Sequence, residues 1–124
     1  MTTASAARST EAVHVVVTVP TPTAVDTLRA LIDTATERVA QVAKWGVQTR
    51  PDGTDEAWAS LAAVRKEVTD KRAADGTLTW KDILQEEVYE AYAETDPDAL
   101  RTELIQVAAV ALSWVEDLDR KAAQ

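Results

Sequence analysis

The chain has 124 residues, enough for one domain with a core yet small enough that an oligomer would add stability. A formal charge of −8 argues against binding a nucleic-acid backbone, which needs clustered Lys and Arg, and the lack of cysteine removes disulfide and thiolate chemistry and suits a reducing cytoplasm. No apolar run approaches the roughly 20 residues of a membrane span, and the first residues lack the pattern of a signal peptide.

Residues 1–11 are small and polar and read as a tail. Residues 13–19 are rich in valine and read as extended chain closed by Pro20 and Pro22, with no obvious second strand downstream. Residues 1–22 are therefore expected to form a flexible or extended N-terminal arm. Thr23, with Asp26 three residues on, has the pattern of a helix cap. Val25, Leu28, Ile32, Ala35, Val39 and Val42 then recur at alternating three- and four-residue intervals up to Trp45, and Gly46 stops the run. This predicts a long amphipathic first helix. Thr54, Asp55 and Glu56 open a second, for which Leu61, Val64 and Val68 supply a thin apolar stripe suited to a peripheral position. Thr79 and Asp82 cap a third helix, and residues 95–98 form a short turn into a fourth. There Leu100, Leu104, Val107, Ala111, Trp114 and Leu118 follow the spacing of a buried seam. The expected fold is all-α, a helical bundle over residues 23–124. The apolar stripes of the first and last helices predict a homo-oligomer formed by helix packing.

If the third and fourth helices fold back about the 95–98 turn, Glu90 faces Glu103 and Glu87 faces Gln106, in two rungs one helical turn apart. Three carboxylates and an amide oxygen make an oxygen-rich pocket suited to a hard cation, Mg²⁺ above all, with Mn²⁺ as a substitute. Acidic pairs at this spacing also occur on solvated helices, where like charges cost only about 0.2–0.5 kcal/mol per pair, so spacing alone leaves both readings open. The neighbours favour a site. Glu103 and Gln106 flank Leu104 and Val107, and Glu87 lies beside Val88 and Ala91. Carboxylates crowded at the edge of a core call for a cation or hydrogen-bond donors.

Glu87-Val88-Tyr89-Glu90 followed by Glu103-Leu104-Ile105-Gln106 resembles the ExxE…ExxD signature of the MazG-like, all-α nucleoside triphosphate pyrophosphohydrolases. Ile83-Leu84-Gln85-Glu86-Glu87 resembles the family's approach to that signature, and the resemblance covers about half the chain, from Thr77 to Leu118. Lys44-Trp45-Gly46-Val47-Gln48 resembles the KWGxQ element of a phage and actinobacterial branch. The resemblance implies a MazG-like bundle, dimeric or tetrameric, that uses Mg²⁺ to cleave a (d)NTP to (d)NMP and pyrophosphate. It implies Glu87, Glu90 and Glu103 as metal ligands with Gln106 in the fourth place. That fourth place departs from the family's usual Asp: glutamine offers a carbonyl oxygen without charge and would hold a cation more weakly.

Among the aromatic residues, Trp114 reads as core and Trp58 as a packing residue. Trp45 with Lys44 and Gln48 combines a ring, a cation and an amide, which suits a base and its phosphates, although a hydrophobic plug at a helix end uses the same ring. Trp80, seven residues before Glu87, lies on the same helical side and joins these as a substrate-binding candidate. Glu86 is the candidate catalytic carboxylate that positions or deprotonates a water, a solvent-facing role being the alternative. His14 is the only histidine, so multi-His zinc sites and Ser-His triads are excluded, and no glycine-rich phosphate loop is present. Two further functions fit the same residues: a nucleotide-binding or regulatory protein weakened in turnover by Gln106, and a structural helical adaptor.

Overall fold

The computed structural model describes residues 22–124. The 1–22 arm, with His14 and the valine run, lies outside the described residues except for Pro22. In chain order the elements are α1 (Pro22–Trp45), a short 3₁₀ turn (Glu56–Trp58), α2 (Ala59–Asp75), α3 (Trp80–Ala93) and α4 (Pro97–Ala122). The described residues are all-α, as the periodicity predicts, and no helix among them is long and apolar enough to cross a membrane.

Local chemistry sets most of the boundaries. α1 already includes Thr23, so the helix starts one residue ahead of the expected cap, at Pro22, whose fixed φ suits a first helical position. Gly46 ends it at φ +70°, its amide donating to Val42 O at 2.7 Å. The opening after the 50–53 loop belongs to Asp55 rather than Thr54: the Asp55 carboxylate accepts from Ala57 N at 2.8 Å and nucleates the 3₁₀ turn that feeds α2. α3 carries the full reciprocal cap. Thr79 Oγ1 accepts from Asp82 N, and Asp82 Oδ2 accepts from Thr79 N at 3.1 Å. Asp96 caps α4 by accepting from Ala99 N at 2.9 Å, with Pro97 in the first turn.

Among the described residues α3 is central, packed between α2 and α4, while α1 touches no helix but α4. The buried apolar side chains among the described residues are Ala30, Ala62, Ala91 and Leu100, and the three alanines let helix backbones approach. On α2 the face turned inward is one residue away from the expected stripe. Ala62 and Thr69 are buried with Arg65 between them, whereas Leu61 and Val64 are exposed. The reason is the partner surface: Arg65 lies over the Tyr89 ring and Arg72 pairs at 3.0 Å with the buried Asp82, so polar groups on α2 meet polar and aromatic ones on α3. Trp58 locks the same side, its ring 5.5 Å from Tyr89 and 5.1 Å from Tyr92.

α1 runs antiparallel to α4. Thr27 donates to the buried Glu116, Asp26 lies 3.9 Å from Arg120, and further along Leu31 and Thr34 face Leu112 and Ala108 across a groove. The expected seam on α4 is only partly closed within one chain: Leu100 is buried, but Leu104 and Leu118 are 51 and 53 % exposed. On α1, Ile32 and Val39 are 63 and 71 % exposed.

Candidate functional site

The 94–96 connection is short enough to force α3 and α4 into an antiparallel hairpin, and that hairpin brings the acidic pairs together. One carboxylate oxygen from each of Glu87, Glu90 and Glu103 lies within 4.8 Å of the other two. All three are half-buried. Gln106 completes the rung facing Glu87: with its amide nitrogen turned inward it donates to Glu87 Oε2 at 3.1 Å and to Glu103 Oε2 at 3.2 Å. The facing register read from the sequence is the register of the structure.

Crowding has an electrostatic cost. Burial, followed by repulsion from Glu103 and Glu86, raises the pKa of Glu87 above the usual carboxylate range. Glu90 is pushed further, to about 6, first by burial and then by Glu87, Glu103 and Glu86, with Lys66 acting the other way. Ionising the whole cluster therefore costs free energy, which a compensating positive charge would offset. The donor set consists of hard oxygens at close range, which fits Mg²⁺ or Mn²⁺ and does not fit a soft thiophilic metal. Glu86 is half-buried and close enough in charge to perturb both Glu87 and Glu90.

The other candidates separate into two places. Lys44 Nζ stands 4.7 Å from the Trp45 ring, and Trp45 and Gln48 line one hollow with Arg38 and Gln41. That hollow belongs to the end of α1. Leu112, which faces α1, is nine positions beyond Glu103, two and a half turns at 3.6 residues each, so α4 turns opposite sides to α1 and to the cluster. Trp80 lies on the hairpin instead. Its indole Nε1 donates to Asp117 Oδ2 at 2.8 Å, and Asp117 pairs with Lys121 at 2.8 Å. These bonds, Lys121 first and Trp80 next, hold the Asp117 carboxyl below its ordinary range. Trp80, Lys81, Ile83, Trp114, Asp117 and Lys121 surround a cavity of about 490 Å³. Trp114 is thus a half-buried wall rather than sealed core. Asp117 was not visible as a site residue in the sequence. The hairpin register sets Trp80 opposite Ser113, and only the length of the indole reaches one turn further.

Comparisons with protein-family models, with curated proteins and with solved structures return no match to this chain.

Proposed function

We propose that the protein is a Mg²⁺-dependent nucleoside triphosphate pyrophosphohydrolase that converts a (d)NTP to (d)NMP and pyrophosphate. The observation that carries this reading is the convergence of Glu87, Glu90 and Glu103 within 4.8 Å at the edge of the α3–α4 contact. The resemblance of these residues and their flanks to the MazG-like signature supports it. In this reading Glu87, Glu90 and Glu103 hold the cation, and Gln106 turns its carbonyl oxygen inward as the fourth donor. Bound Mg²⁺ supplies charge neutralisation for the polyphosphate and lowers the pKa of a water. The protein's own part is to orient that water. A carboxylate oxygen of Glu86, beside the ligand Glu87, accepts its proton as the oxygen attacks phosphorus and the bond to the leaving pyrophosphate breaks. Glu87, Glu90 and Glu103 would hold the cation from the protein side and leave its remaining positions to water and the substrate phosphates.

The exposed stripe of Ile32, Val39, Leu104 and Leu118 supports association of two or four copies through α1 and α4. Nucleotide substrates and the cysteine-free sequence fit a cytoplasmic setting. A second reading rests on one observation: the Gln106 amide already satisfies two carboxylates without a cation. This favours a nucleotide-binding protein with reduced turnover. A screen of the common nucleoside triphosphates with pyrophosphate detection tests the proposal, alongside thermal unfolding with increasing MgCl₂. A raised midpoint with turnover supports the enzyme, and a raised midpoint without turnover supports the binder. No Mg²⁺ effect and no turnover defeats both.

A further inference from the structure

The Trp80–Trp114 cavity lies on the same helix pair as the carboxylate cluster, and one residue joins them. Ile83 lines the cavity, and Ile83, Glu87 and Glu90 follow i, i+4, i+7 spacing, which sets them in one row along α3. On α4, Glu103, Gln106, Val110, Trp114 and Asp117 step by three or four residues and form the facing row. From Trp80 to Glu87 the rise is about 10 Å at 1.5 Å per residue, a span that a sugar and its first phosphates cover. The cavity has the volume and the aromatic walls of a small-molecule site, with Thr79, Lys81, Asp117 and Lys121 as its polar groups. Asp117 is held by Trp80 and Lys121, so a ligand entering meets fixed partners and a neutralised carboxylate. Lys81 stands at the rim without an ion pair among the described residues.

We propose that the Trp80–Trp114 cavity is the nucleobase pocket of a single groove on the α3–α4 hairpin, with the carboxylate cluster at its phosphate end. This rests on the nucleotide reading above and assigns the base to the hairpin rather than to Trp45 on α1. The two indoles present apolar faces to a planar ring, the contact that stacking requires and that every base can satisfy. Lys81, next to Trp80, adds a positive charge at the base end of the groove.

The test is nuclear magnetic resonance of the full ¹⁵N-labelled chain in MgCl₂, using AMP, CMP, GMP, UMP and dTMP as probes, with hydrolysis of ATP, CTP, GTP, UTP and dTTP measured separately on the same preparation. The four tryptophans give four indole signals, assigned with Trp45→Phe and Trp58→Phe. Expected are shifts of the Trp80 and Trp114 indole signals with Trp45 still. Trp114→Ala should weaken nucleotide binding at least about fivefold, and Trp80→Phe, which keeps an aromatic ring, serves if that variant does not fold. Shifts confined to Trp45, or to no tryptophan, in a sample that hydrolyses nucleotides overturn the pocket and leave the enzyme standing. Shifts of Trp80 and Trp114 without hydrolysis keep the pocket and remove the enzyme. Neither shifts nor hydrolysis removes both.

Discussion

In the α3–α4 hairpin both helix starts are fixed by short-range hydrogen bonds, Thr79 with Asp82 and Asp96 with Ala99, and the two helices pack along their length. α1 is ten residues longer than α3 but meets only α4, and beyond Thr34 its apolar side chains stand in the open. Both segments have regular amphipathic spacing. The difference is that a cap is satisfied by residues three positions away, whereas an apolar stripe states only that some surface covers it. A hairpin with a three-residue connection supplies that surface to itself. α1, separated from the 3₁₀ turn by the 46–55 connection, does not receive it from the other described residues.

The strongest way to break this contrast is at the cluster. Glu87→Gln and Glu103→Gln are each expected to abolish Mg²⁺-dependent stabilisation and to lower hydrolysis more than the roughly 10–100-fold typical of losing an outer-shell partner. Hydrolysis that survives both changes removes the catalytic assignment. On α1 and α4, Ile32→Glu with Leu104→Glu should reduce the oligomer to a monomer in sedimentation velocity. The folded single chain should be little affected, since both side chains are exposed in it. An unchanged sedimentation coefficient would place the interface elsewhere. Gln106→Asp should tighten Mg²⁺ binding several-fold by restoring a fourth charge, as read by the shift of the thermal midpoint.

A pH titration sharpens the same comparison. Without a divalent cation, the native state holds the Glu90 proton more tightly than the unfolded chain, with a pKa of about 6 against an ordinary 4.5. Its contribution to stability is complete below the ordinary value and is lost as pH rises through about 6. Glu87 acts in the same direction. Asp82 and Asp117, held below 3.8, lose their contributions only in more acidic solution, so they do not mask the effect. The urea midpoint in EDTA should fall between pH 4.5 and 6.5, and MgCl₂ should reverse the loss at pH 7. A flat profile would mean that the carboxylates are not crowded in solution. The smallest effect expected is at the α3 cap: Thr79→Ala should cost about 1 kcal/mol in chemical denaturation, whereas Leu61→Ala, on the exposed side of α2, should change stability by less than ~0.5 kcal/mol.

The helices, the α3 cap and the register of the acidic rungs were legible in the sequence because each depends on residues close in the chain or joined by a tight turn. The inward face of α2 was not. Periodicity ranks Leu61 and Val64 above Ala62 and Thr69, but an α3 surface bearing Asp82 and Tyr89 selects Arg65, Thr69 and Arg72. The start of α1 was missed because Pro22 begins a helix as readily as it closes an extended segment. At the site, three carboxylates and their facing amide followed from spacing, but the Asp117 anchor of Trp80 joins residues 37 positions apart and leaves no local signature.

Both tyrosines of the chain lie against Trp58. At that separation an excited phenol passes its energy to the indole, so native protein excited at a tyrosine band emits as tryptophan. Trp114 shares a hollow with both tyrosines, so tyrosine emission appears only when α3 loses Trp58 and Trp114 together. The chain therefore carries its own optical gauge of the aromatic packing around α3, readable without labels.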